Sequence, residues 1–163
     1  MRVASRVRAS LPRAEAARLA RAVLRAEGVR SAVVSIAFVG RQRIRFLNRR
    51  HLGRDRETDV IAFALAGAPA PGPNGGRKGG VRPPLATRRL ATSLVVGDVY
   101  VCVPVAAAQA RRFATSARDE VRRLVVHGVL HVLGYDHPQG AGRTRGRMWR
   151  RQEQLLARAG RRR

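Results

Sequence analysis

Apolar residues recur along this chain at two spacings, and the switches between them mark its elements. Ala16, Leu19, Ala20, Val23 and Leu24 fall on one face at helical spacing, so a helix is expected that Ser10 caps, that holds Pro12 in its first turn and that Gly28 stops. Ser31 to Val39 is rich in β-branched and apolar residues and reads as a strand, followed by a short basic helix from about Arg41 to Arg50. Thr58 to Leu65 and Leu94 to Val103 read as two further strands. The stretch from Ala66 to Arg89 is rich in Gly, Pro and Ala and has no periodicity, which makes it a poor core builder and an expected mobile loop. Neither side of that loop has enough apolar sequence to fold alone, so residues 1–163 are expected to form one domain.

Beyond Pro104 a helix is expected to about Phe113, and Ser116 begins another that runs through Val121, Leu124, Val125, Val129, Leu130, Val132 and Leu133. The first turns of this second helix carry charge and its last turns are apolar all round, the pattern of a helix driven into the middle of a fold. Met148, Gln152, Leu155, Leu156 and Ala159 then share one face of a last amphipathic helix ending near Gly160, with Arg161 to Arg163 as a frayed basic end.

Charge changes this picture. Among 163 residues there are 34 Lys and Arg against 10 Asp and Glu, a formal charge of +24. All the basic residues but Lys78 are Arg, which a compositional bias can produce, yet such a bias does not explain so few acids. An excess of this size calls for a partner of opposite sign, and nucleic acid is the first candidate. Arg41, Arg43, Arg45, Arg49, Arg50, Arg54 and Arg56 cluster ahead of the second strand, and guanidinium forks suit phosphate oxygens. The plainer reading of such a cluster is a solvated face. No apolar run approaches the roughly 20 residues of a membrane-spanning helix. The single cysteine, Cys102, needs no oxidising compartment, and the Arg-rich first helix reads as core packing and not as a targeting segment. A soluble, cytoplasmic protein is the expectation.

The candidate chemistry lies on the apolar helix. Three of the four histidines, His127, His131 and His137, fall within eleven residues. A spacing of four stacks His127 and His131 on one helical face, with Cβ atoms roughly 5–6 Å apart. His137 points elsewhere if the helix continues, so Gly134 must end it and turn the chain back. Three histidines with an open fourth position describe a catalytic zinc site, with one ion per chain. The competing reading, buried histidines satisfied by hydrogen bonds, suits a lone His better than three at ligand spacing. The long zinc-protease signature places a Glu general base directly after the first His, where this chain has Gly128, so a peptidase is disfavoured.

The segment HGVLHVLGYDH, His127 to His137, resembles the signature of the YbeY family of bacterial endoribonucleases. Leu47-Asn48, Gly53 to Asp55, Thr58 to Phe63, Gly97-Asp98, Met148 and Glu153 resemble the family's other segments in order. The resemblance covers about Ser31 to Leu156. It implies an α+β fold, a small mixed sheet packed against helices, with zinc held by His127, His131 and His137. It also implies cleavage of single-stranded RNA in ribosomal RNA maturation, at the 3′ end of the small-subunit RNA, and in ribosome quality control, so that ribosomal RNA and ribosomal particles are the expected partners. Family members commonly carry a catalytic Arg immediately before the glycine that matches Gly53, and this chain has Leu52 there. If a neighbour supplies the guanidinium, Arg54 is the first choice and Arg50 the reserve, on the reasoning that alternate residues of an extended segment share a face. Asp136 is a candidate for orienting a ligand imidazole or relaying a proton, while Asp59 and Asp98 read as supporting groups. The rivals to a zinc endoribonuclease are a zinc peptidase and a non-catalytic RNA-binding ribosome factor with a structural metal.

Overall fold

Alternation along the strands decides which side of the sheet each helix covers. A computed structural model describes residues 2–5, 9–66, 94–136 and 146–160, the first of these ranges as backbone only. In chain order the elements are β1 (Arg2–Ser5), α1 (Arg13–Ala26), β2 (Ala32–Val39), α2 (Arg41–Leu52), β3 (Val60–Ala66), β4 (Val95–Cys102), α3 (Val103–Arg112), α4 (Ala117–Val132) and α5 (Arg147–Gly160). The strands form one mixed sheet in the order β1-β2-β4-β3, with β1, β2 and β4 parallel and β3 antiparallel to β4. This is an α+β fold.

Val34, Ile36 and Phe38 of β2 and Val95, Val99 and Val101 of β4 point to one face, where α1, α4 and α5 bury Leu19, Val23, Leu124, Val125, Val129, Met148 and Leu155 against them. Residues of the opposite parity, Val39, Ile61 and Cys102, meet Ile44 and Leu47 of α2 on the other face. Each such aliphatic side chain contributes about 1.5–3 kcal/mol when fully buried, so the larger cluster fixes α4 and the smaller one seats α2.

Two glycines let α4 lie close on the sheet. A Cβ on Gly128 would stand 2.4 Å from Val99 Cγ1, and one on Gly97 of β4 would stand 2.4 Å from Val132 Cγ1. Helix and strand approach each other only because both positions lack a side chain.

Sequence and structure agree closely on α4. Ser116 is its N-cap, with Oγ accepting the Asp119 N–H at 3.0 Å. At the other end Gly134 has φ 80°, and the N–H groups of Gly134 and Tyr135 return to the carbonyls of His131 and Leu130 at 2.9 and 3.0 Å. That pair of bonds is a Schellman closure, and glycine meets its left-handed residue without strain. The start of α1 differs from expectation. Pro12, not Ser10, occupies the N-cap position, and its carbonyl accepts from Glu15 and Ala16 at 3.0 and 3.1 Å, with no side-chain cap. The strand β1 has no counterpart among the expected elements. The loop expected at about 66–89 lies outside the described residues from residue 67 onward, as does the basic end 161–163.

Candidate active site

The last three turns of α4 bring His127 and His131 together. Their ring centroids are 4.7 Å apart and their Nε2 atoms 3.1 Å apart. Each ring is held from its other nitrogen. His127 Nδ1 lies 2.9 Å from Gln152 Oε1 on α5, and His131 Nδ1 lies 2.9 Å from the Tyr135 carbonyl in the turn that closes α4. A carbonyl oxygen only accepts, so both Nδ1 atoms are donors and both Nε2 atoms turn lone pairs towards one another. Two lone pairs at that separation repel unless a cation or a proton lies between them. The donor set therefore fits a metal that takes neutral imidazoles oriented by a hydrogen bond at the far nitrogen. Burial, followed by the neighbouring His131, pushes the His127 pKa down to about 4, so this imidazole is neutral at neutral pH.

Tyr135 is itself fixed. Its hydroxyl donates to Glu27 Oε2 at 2.6 Å, and Arg151 Nε donates to Glu27 Oε1 at the same distance. Burial and this carboxylate push the Tyr135 pKa up, which keeps the phenol a donor. The end of α1, the turn after α4 and the helix α5 are thus tied together behind His131.

Asp59, at the entry to β3, faces the same corner. Its carboxylate accepts from Thr58 Oγ1 at 3.1 Å, from the Val60 N–H at 2.9 Å and from Gln109 Nε2 of α3 at 3.2 Å, and its charge favours a protonated His127. Asp98 is elsewhere, on the side of β4 that carries Tyr100 and Cys102, away from the histidines. Asp136 is exposed, two residues beyond Gly134. His137 lies outside the described residues, and among the described residues no three His, Cys, Asp or Glu side chains are grouped as a metal site.

The basic segment takes a different form from the one expected. Arg50 and Leu52 belong to α2, where residues two apart point about 200° apart. Gly53, with φ 67°, then ends the helix, so Arg50, Leu52 and Arg54 do not share a face as alternate residues of an extended chain would. Arg49, Arg50 and Arg54 are exposed. Arg45 is paired with Asp55 through two 2.8 Å bonds, and Arg41 with Glu57. The buried Asn48 holds the loop that follows by donating to the Arg56 carbonyl at 2.8 Å.

Gly128 faces Val99 and Val60, not the histidines. A carboxylate at that position would meet the sheet, so the zinc-protease general base has no place here. Sequence reasoning missed Gln152 as the partner of His127 and the Tyr135 carbonyl as the partner of His131.

The family model of endoribonuclease YbeY matches residues 4–160. This chain belongs to the YbeY family. The endoribonuclease YbeY of an Anaeromyxobacter species is 37% identical over 140 residues, which are 86% of this chain and 60% of that protein's length. Endoribonuclease YbeY of Geobacillus kaustophilus is 38% identical over 133 residues, 79% of this chain and 74% of the relative. That of Moorella thermoacetica is 38% identical over 147 residues, 90% of this chain and 85% of the relative. The solution structure of the protein TM1509 from Thermotoga maritima shares the fold, with a TM-score of 0.57 at 22% identity over 97% of this chain and 87% of that one.

Proposed function

We propose that this chain is a zinc-dependent endoribonuclease that cleaves single-stranded RNA during ribosomal RNA maturation, with His127, His131 and His137 as the zinc ligands and ribosomal RNA and ribosomal particles as partners. The endoribonuclease activity follows from the family. The observation that carries the metal is the pair of imidazoles whose Nε2 atoms converge to 3.1 Å while Gln152 and the Tyr135 carbonyl hold the far nitrogens. When bound, zinc supplies a Lewis acid for the phosphodiester. The chain's own contribution is to keep the buried His127 imidazole neutral, to aim both imidazoles through two carbonyl acceptors, and to bring cations to the RNA backbone. Arg49 and Arg50 at the exposed end of α2, and Arg54 just beyond it, attract phosphates, and Asp136, adjacent in sequence to His137, is assigned to proton transfer. Among the described residues no helix is long and apolar enough to cross a membrane. Cys102 is a buried free thiol, which suits a reducing cytoplasm.

The test is incubation of the zinc-loaded protein with an unstructured RNA, with and without chelator, beside casein as a peptidase substrate. Cleaved RNA, protected by chelator, with intact casein is the expected result. RNA that is bound and remains intact with zinc present would instead make the protein a binding factor.

A further inference from the structure

The face of α4 that carries His127 and His131 extends one turn towards the helix N-terminus, to Arg123. Residues four apart on a helix are neighbours, and Arg123, His127 and His131 follow one another at that interval. Arg123 does not behave as a surface arginine. Its Nε donates to Glu120 Oε2 at 2.8 Å and its Nη2 to Oε1 at 2.5 Å, and the Glu120 side chain is 4% exposed. The clamp uses two of the five guanidinium N–H groups and leaves the Nη1 end outside it. The Arg123 side chain is 34% exposed, so it is not closed off from solvent. Asp59 and Glu153 lie near enough to act on its charge. Arg123 therefore borders the same corner as the two imidazoles.

We propose that Arg123, clamped by Glu120 one turn before His127, is a phosphate-binding residue of the active site and holds the RNA backbone beside the histidines. This rests on the endoribonuclease reading above. The physical case is preorganisation. An exposed arginine loses side-chain entropy when it grips a phosphate, whereas the Glu120 clamp has already fixed this guanidinium. The planar fork can then present directed N–H groups to phosphate oxygens, which a point charge cannot do. Because Glu120 offsets its charge, Arg123 adds little long-range attraction, and its effect is confined to RNA already at the site. Arg49, Arg50 and Arg54 have the opposite character, exposed and suited to attraction at a distance.

The experiment separates this role from that of a counterion to Glu120. In a Glu120→Gln background, which removes the buried charge, Arg123→Gln is added, and folding is checked by circular dichroism and thermal melting. Relative to Glu120→Gln alone, the double variant should bind a non-cleavable single-stranded oligonucleotide less tightly without metal, and with zinc its turnover should fall about tenfold, the loss expected for one charge-assisted contact. Arg123→Lys in the native background keeps the ion pair and removes the fork, so it should lose turnover in the same direction if the double variant does not fold. Arg158→Gln, an equal charge change on the exposed side of α5, should alter both quantities less. Metal-free affinity and turnover unchanged by Arg123→Gln in the Glu120→Gln background, or by Arg123→Lys, would overturn the proposal. If the wild-type protein leaves RNA intact with zinc present, the endoribonuclease reading fails, and the metal-free affinities still decide the phosphate contact.

Discussion

Two polar corners of this molecule are built on opposite principles. Where α4 meets α5, described polar side chains are each fixed by a partner: Gln152 for His127, the Tyr135 carbonyl for His131, Glu120 for Arg123 and Gln109 for Asp59. Where α2 runs into residues 53–57, Arg49, Arg50 and Arg54 are exposed, and the ion pair of Arg45 with Asp55 stands in solvent. Fixed groups can stabilise charge that appears only in a transition state, because they need little reorganisation when it forms. Solvated ones mainly raise the local concentration of a polyanion. On the proposed function, the difference suits the first corner to chemistry and the second to capture.

The largest effect that can break this comparison is removal of an imidazole. His127→Ala or His131→Ala should lower RNA cleavage by more than about 100-fold, since even loss of a group behind a metal ligand costs 10–100-fold. Single-turnover kinetics on protein of verified fold would check it. Gln152→Leu sharpens the same point from one layer out. The side chain is 1% exposed and leucine conserves its bulk, so the fold should survive while zinc affinity, measured against a competing chelator, falls about 10–100-fold.

Gly128→Ala probes the seating of the helix and not the chemistry. Its new methyl would stand 2.4 Å from Val99 Cγ1, and overpacking of this kind costs about 1–3 kcal/mol in a denaturant titration. Neutralising Arg49, Arg50 and Arg54 together should weaken RNA binding more than it lowers turnover, and the log–log salt slope should shrink by about 0.7 for each phosphate of the single strand that is no longer neutralised. An equal loss in turnover would erase the distinction between the corners. The smallest effect is expected from Asp55→Asn. Its bond to Arg45 lies in solvent, and the melting temperature should not change measurably.

Much of the first corner was legible in the sequence. Ser116, the charged first turn and the apolar last turns define α4, and Gly134 ends it as a chain reversal after His131 requires. Those signals are local, and local signals survive folding. Gln152 was readable as a buried position on α5, but its bond to His127 joins residues 25 apart and depends on how two helices pack, which periodicity does not encode. Arg123 was hidden for a related reason, since one more arginine among so many says nothing until its clamp to a buried Glu120 is seen. The second corner differs from its sequence reading through backbone geometry. An extended chain around Leu52 would put Arg50 and Arg54 on one face, whereas α2 continues through Leu52 and stops at a left-handed Gly53. The four-residue β1 is too short to produce a pattern, and its place beside β2 comes from pairing alone.

The central claim is that the α4 histidines hold a metal, and zinc stoichiometry tests it most directly. Wild-type protein reconstituted with zinc and freed of excess should carry about one ion per chain, and folded His131→Ala protein should carry far less, because a site stripped of one of three imidazoles is weak. Wild-type protein that retains no zinc after reconstitution, or a His131→Ala variant that retains as much as the wild type, would contradict it.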